Sequence, residues 1–150
     1  MNEELRQLHE VLLDLMGFFN QPQRDAMLIR EAGVTLDRAL FPLLVRVERR
    51  GPIGIVDLAG LVGRDYTTVS RQVAKLETLG LVTRQAGRHD RRVSDVVITD
   101  AGRVMNQAID AARERLIWPL LSQWSAQDRK DLTRLLRRLV DDAQHGAEQA

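Results

Sequence analysis

Gly54–Thr99 reads GIVDLAGLVGRDYTTVSRQVAKLETLGLVTRQAGRHDRRVSDVVIT, and this stretch decides the fold. Ile55, Leu58, Ala59 and Val62 recur at helical spacing and define a short helix with one apolar face, which Gly63-Arg64-Asp65 interrupts. A second helix is expected at once, because the Asp65 side chain can accept from the free N–H groups of a new first turn, while Val69, Val73 and Leu76 share one face. Gly80 ends that helix, since glycine enters the left-handed conformation of a helix terminus at least cost. Leu81-Val82-Thr83-Arg84 then reads as a strand, and Val93 to Ile98, rich in β-branched residues, as a returning strand. Helix, tight turn and helix followed by a two-stranded ribbon is a helix-turn-helix with a wing.

If Val69, Val73 and Leu76 are buried, Thr67, Thr68, Ser70, Arg71, Gln72 and Lys75 occupy the other faces of the second helix. An ordinary solvated face carries similar residues, but this set also suits DNA. Hydroxyls and a helix N-terminus bind phosphate, and Arg and Gln address base edges in a major groove that accepts an α-helix. The charge distribution favours the second reading. Residues 64–92 hold seven Lys/Arg against three acids, a local +4, whereas the whole chain is only +1. Positive charge is concentrated where phosphate would be met. Asp90 is out of place in so basic a loop, because a carboxylate repels phosphate. It is expected to pair with Arg88, Arg91 or an arginine of a second chain and so fix the wing, leaving Arg92 free.

The run Asp57-Leu-Ala, Thr68-Val-Ser-Arg, Leu76, Gly80-Leu-Val, Asp90-x-Arg92, Ile98-Thr99 and Ala101-Gly102 resembles the MarR family of winged-helix transcription regulators. Order and approximate spacing are those of the family, and long helices flank the block. The likeness thus covers nearly the whole chain. It implies a homodimeric, DNA-binding regulator, most often a repressor, whose Arg88 and Arg92 reach the minor groove beside a recognition helix in the major groove. It further implies interlocked terminal helices and control by a small lipophilic or phenolic ligand, for which His9, Leu12, Phe19 and Trp118 are the candidate pocket residues. Some members sense peroxide through a cysteine; this chain has none. The alternative is a winged-helix module that has lost DNA binding and holds another protein, against which the basic run Arg88 to Arg92 argues.

The remaining chain bounds this reading. At 150 residues a single domain is expected, with 36–99 as the winged helix-turn-helix part and 1–34 and 100–146 as dimerisation helices. Aromatics at 4% and an apolar fraction made mostly of Leu, Val and Ala favour a mainly α fold with a small β-wing. Leu5, Leu8, Leu12, Leu15 and Phe19 step by three and four through a helix over residues 3 to 20, which Pro22 ends. A short helix is expected around Asp25 to Glu31. Thr35 or Asp37 is expected to cap the next helix, with Leu36, Leu40, Leu43, Leu44 and Val47 inside and Pro42 either kinking it or restarting it. A long helix should begin at Thr99-Asp100, carry Val104, Ala108, Ala111/Ala112, Arg115/Leu116 and Leu120, and kink or break at Pro119. The last helix, capped by Ser125, presents Leu132, Leu135, Leu136 and Leu139 as a stripe. Those stripes exceed what a lone winged helix can cover, and a larger bundle or a second copy of the chain is implied, the dimer being favoured.

Catalytic constellations are missing from this pattern. Ser70 has no histidine at a suggestive position, Gly60-Leu-Val-Gly63 lacks the lysine-hydroxyl ending of a phosphate loop, and Asp141-Asp142 reads as a helix terminus. His9, His89 and His145 are too far apart for a zinc site. No enzyme activity, metal or cofactor is expected. The chain shows neither an apolar run of membrane-spanning length nor a signal-peptide pattern in MNEELRQ, so a cytoplasmic location is expected.

Overall fold

The computed structural model describes residues 2–149. Seven helices and three strands follow in the order α1 (Glu3–Phe19), α2 (Pro22–Ala32), α3 (Phe41–Arg50), β1 (Ile53–Gly54), α4 (Ile55–Val62), α5 (Tyr66–Thr78), β2 (Val82–Ala86), β3 (Ser94–Ile98), α6 (Asp100–Leu121) and α7 (Ala126–Glu148). Two compact units divide the chain, one ending at Ala112 and the other starting at Arg113. The boundary falls inside α6 because only its first half is tied down: Gly102, Asn106, Ile109 and Ala112 are buried, and nothing beyond Ala112 in that helix is.

The first unit is a winged helix-turn-helix with a core drawn from α3, α4, α5, the sheet and the start of α6. Leu43, Leu44, Leu58, Val69, Val73, Leu76, Val96 and Ile109 are fully enclosed there. The sheet is antiparallel in the order β1-β3-β2, with Val82 opposite Ile98, Arg84 opposite Val96 and Ile53 also opposite Val96. The sequence does not announce β1, since two residues are too few for an alternating pattern. Asn106, 1% exposed, pins α6 to α3 by donating from Nδ2 to the Leu44 carbonyl (3.2 Å) and to Glu48 Oε2 (2.6 Å).

Several elements differ from the sequence expectation at prolines. Helix α2 is longer than Asp25 to Glu31 because Pro22 opens it: a proline in the first turn gives up an N–H that has no partner there anyway. Neither Thr35 nor Asp37 caps α3. Asp37 accepts instead from the Ala39 N–H (2.9 Å) in a turn, and α3 starts at Phe41 with Pro42 in its first turn, which is the restart rather than the kink. Pro119, expected to kink or break its helix, lies within α6, which continues to Leu121. The proline is close to the helix end, just beyond which Arg129 Nη1 donates to the Leu121 and Trp124 carbonyls (3.2 and 2.6 Å), its guanidinium 5.1 Å above the Trp118 ring. The inner face of α6 also differs: Val104 is exposed, while Asn106 and Ile109 are inside.

The capping expected of Asp65 and of Ser125 agrees with the structure. Asp65 accepts from the Thr68 N–H (2.8 Å) and Ser125 Oγ from that of Asp128 (3.0 Å). Gly80, at φ 73°, ends α5, and Thr99 then closes the junction by donating its N–H to the Leu81 carbonyl (3.1 Å) and its hydroxyl to the Gly80 carbonyl (2.7 Å). The same hydroxyl accepts from the Gly102 N–H (3.1 Å). Here α6 approaches so closely that a Cβ on Gly102 would collide with the Leu81 carbonyl oxygen and Ile98. Gly102→Ala should therefore lose about 1–3 kcal/mol in urea denaturation. Gly146→Ala, whose Cβ would meet nothing within 4 Å, should be neutral or gain about 0.5–1 kcal/mol from helix propensity.

Candidate nucleic-acid interface

The surface that α5 presents is set by its buried face. With Val69, Val73 and Leu76 enclosed, Thr67, Arg71 and Lys75 are exposed and Thr68, Ser70 and Gln72 half-buried at its margins. Asp65 locks the first turn twice over, since its second carboxylate oxygen also accepts from the Thr68 hydroxyl (2.7 Å). These bonds to the charged form hold the Asp65 carboxyl below its ordinary value. Thr68 is thus partly committed to its own cap. Two further arginines of the basic stretch have partners within the protein. Arg64 donates from Nη1 to the Ala39 carbonyl (2.7 Å) and to Gln72 Oε1 (2.9 Å), and Arg84 lies 3.8 Å from Glu77.

The wing corrects the sequence reading of its charges. Arg88 does not pair with Asp90. Its backbone N–H and Nε both donate to Asp95 Oδ2 (3.2 Å each), and Nη2 donates to the Pro52 carbonyl. It therefore staples the wing to the start of β1. Asp95 is buried, and its carboxylate accounts for this arrangement: a charge in that position needs a cation. Nor is Arg92 free. Asp90 accepts from the Arg92 N–H (3.0 Å), Nε (3.2 Å) and Nη2 (3.4 Å). The turn places the carboxylate over the backbone N–H two residues on, so the nearest guanidinium is that same residue's. Gly87 shapes the loop: its N–H donates to the Val93 carbonyl (2.8 Å), and a Cβ there would strike the Asp90 and Val93 carbonyl oxygens. Arg92 remains 90% exposed, and an ion pair so open to water contributes little, so its guanidinium is available to a competing anion.

Sequence reasoning overlooked Gly87, Asp95 and the inward role of Arg64. A glycine in a turn-rich loop and an acid inside a β-branched strand were signals for the first two; nothing local ties Arg64 to Ala39, 25 residues away.

The sequence and the fold have counterparts in known proteins. A family model described as HVO_A0114 matches residues 35–98. The chain is 33% identical over 104 residues to the uncharacterised HTH-type transcriptional regulator YxaD of Bacillus subtilis, covering 69% of this chain and 73% of that one. The chain belongs to the HTH-type transcriptional regulators. The regulator has the MarR fold: it superposes on a MarR transcriptional regulator from Methanosarcina mazei with TM-score 0.73 at 22% identity, covering 93% of this chain and 98% of that one. The crystal structure of MarR gives TM-score 0.72 at 24% identity, covering 100% and 99%. Members of this family regulate transcription and are not enzymes. No described helix of the regulator is long and apolar enough to cross a membrane.

The remaining candidates lie on the terminal helices. Leu5 and Leu8 on α1 and Leu132, Leu135, Leu136 and Leu139 on α7 are all exposed, and Leu12 is half-buried; neither helix has a single buried residue. His9 and Phe19 are exposed on α1, and Trp118 lies on α6 in the second compact unit.

Hydrogen bonds from the Arg92 backbone and side chain hold the Asp90 carboxyl below its ordinary value of 3.8. A depressed folded-state pKa supplies stabilisation above the unfolded value that disappears as pH falls through the folded one. In a carboxyl NMR titration Asp90 should accordingly titrate below 3.8, and Arg92→Ala should move it back up towards that value. An unchanged midpoint would show that the pair does not form in solution.

Proposed function

We propose that the regulator binds a palindromic operator as a homodimer in the cytoplasm and represses transcription until a small lipophilic or phenolic effector releases it. Residues 36–99 form the DNA-binding part, and 1–34 and 100–146 the dimerisation helices. One observation carries this reading: the chain that presents the Thr67, Arg71 and Lys75 face also leaves the apolar stripes of both terminal helices uncovered, with Leu5 and Leu135 each 51% exposed. Water-exposed leucines at coiled-coil spacing favour burial against a second copy. A two-fold dimer then offers two recognition helices to half-sites about 34 Å apart on one face of B-DNA.

Thr67, Thr68, Ser70, Arg71, Gln72 and Lys75 are assigned to the major groove, and Arg92, exchanging Asp90 for phosphate, to the minor groove edge. Arg88 has the smaller role, since its guanidinium already serves Asp95 and Pro52. The effector rests on the family resemblance alone, with His9, Leu12, Phe19 and Trp118 as candidate contacts.

Fluorescence-anisotropy titration with DNA from upstream of the regulator's own coding region, against a scrambled duplex at several salt concentrations, tests this proposal. The native fragment should bind more tightly, with affinity falling steeply as salt rises. Arg92→Ala should weaken binding to both duplexes and reduce the salt slope, by less than the value of about 1 for an unpaired cation because Asp90 already neutralises Arg92 in part. A Leu135→Glu/Leu139→Glu variant should sediment as a monomer and bind roughly 100-fold more weakly through loss of the second half-site. Equal and negligible binding of both duplexes at low salt would exclude DNA and favour a protein partner.

A further inference from the structure

The turn between α2 and α3 lies against the flank of α5. Residues 37–40 form it: the Leu40 N–H donates to the Asp37 carbonyl (2.9 Å), and the Asp37 carboxylate accepts from the Ala39 N–H (2.9 Å). Leu36 and Leu40 are buried in the core, so both ends of the turn are fixed. One atom then ties it to α5. Arg64 Nη1 donates to the Ala39 carbonyl (2.7 Å) and to Gln72 Oε1 (2.9 Å), so the turn and the Gln72 side chain share a single nitrogen between them. Gln72 comes three residues after the enclosed Val69 and one before the enclosed Val73, which puts it at one edge of the outward face of α5. Thr68 and Lys75 stand on the same side of the helix, at the spacings of four and three that make neighbours.

The major groove of B-DNA is about 12 Å wide, and a helix with its side chains about 10–12 Å across, so a helix laid in the groove fills it from wall to wall. A segment packed on the flank of that helix finds no room beside it and meets the wall, which is phosphate. The turn is such a segment. Its second residue is Arg38, exposed and without a hydrogen bond or ion pair among the described residues. Other arginines of this region are engaged: Arg64 holds the turn, Arg84 faces Glu77, Arg88 serves Asp95, and Arg92 is held by Asp90. Asp37, the acid beside Arg38, is turned back onto an N–H of its own turn.

We propose that Arg38 is a contact to the DNA backbone, a cation set over the wall of the major groove by the turn that Arg64 anchors, and so a third contact element besides α5 and the wing. This rests on the DNA-binding reading above. Phosphate is the same at every base pair, so Arg38 contributes affinity and register but no base preference. It forms no ion pair within the protein, and its share of ion release on binding is therefore undiminished, unlike that of Arg92.

The test uses the full-length protein, the duplex from upstream of its own coding region and a scrambled duplex, over a series of salt concentrations. Arg38→Ala should bind both duplexes several-fold more weakly and lower the slope of log affinity against log salt by about 0.9 for each protomer on the DNA. Arg38→Lys should restore affinity and slope. Both variants should keep the thermal unfolding midpoint of the wild type, because the side chain makes no contact that folding needs. Ethylation of single phosphates locates the contact: wild-type binding should be sensitive at one phosphate in each half-site to which Arg38→Ala is indifferent. The base motif selected from a randomised pool should be the same for both proteins.

An unchanged salt slope or an unchanged ethylation pattern in a folded Arg38→Ala protein would overturn the proposal. So would an Arg38→Lys protein as weak as Arg38→Ala, a change of preferred base, or a loss of affinity that comes with a lower unfolding midpoint, the signature of a merely structural arginine. If the wild type binds neither duplex at low salt, the DNA-binding reading fails and takes this proposal with it. Wild-type binding that Arg38→Ala leaves intact removes this proposal alone.

Discussion

Thr99 fixes three elements at one point. Its backbone N–H and hydroxyl donate to the consecutive carbonyls of Leu81 and Gly80, where α5 gives way to β2, and the hydroxyl also accepts from Gly102 in the first turn of α6. Carbonyls at the end of one helix and an N–H at the start of another are otherwise unpaired groups, and one threonine answers both. Its position is delivered by the sheet, since Ile98, the residue before it, stands opposite Val82. A slip of one residue in that pairing would turn Val96 and Ile98 out of the core and carry Thr99 off its carbonyls. Core, register, wing and the exit of α6 are thus mutually dependent, and the absence of a Cβ at Gly102 is what allows them to meet.

How much of this was legible follows the range of each interaction. Periodic burial over Val69, Val73 and Leu76, the Asp65 and Ser125 caps and the glycine after α5 are all set within a few residues, and each can be read directly from the chain. The prolines were harder, because a proline's effect depends on where the helix begins or ends. Pro22 and Pro42 both sit in first turns, and Pro119 lies close to a terminus that an arginine from the next helix braces. The pairings in the candidate interface were least legible. Asp95 attracts Arg88 because Asp95 is buried, and burial is a property of the fold rather than of the five residues around it. The link from Arg64 to Ala39 crosses 25 residues and ends on a carbonyl, a group that every residue possesses and no sequence pattern marks.

The terminal helices show a different division of labour. Asn2 caps α1 by accepting from the Leu5 N–H (2.7 Å), and Ser125 caps α7, so each helix carries its own start signal. Local signals place a helix but supply no burial for its apolar side. Within proteins, packing of that side stabilises a helix more than its local propensity does. Neither α1 nor α7 contains a fully buried residue. The winged helix, in contrast, has an enclosed core of its own, and this explains why the sequence yields one region that looks complete and two that do not.

Asp90 also alters the thermodynamics of any anion that meets the wing. A bare arginine in salt solution is balanced by mobile ions, and its contact with a polyphosphate is an exchange among mobile ions alone. Arg92 instead has a resident anion, tethered two residues away and held by three hydrogen bonds. An arriving phosphate displaces a group that cannot diffuse off. The released carboxylate must then attract a cation of its own, which offsets part of the ion release that drives association. Arg92 thus carries a counterion that is part of the chain, weakly held because the pair is so exposed, and present at any salt concentration.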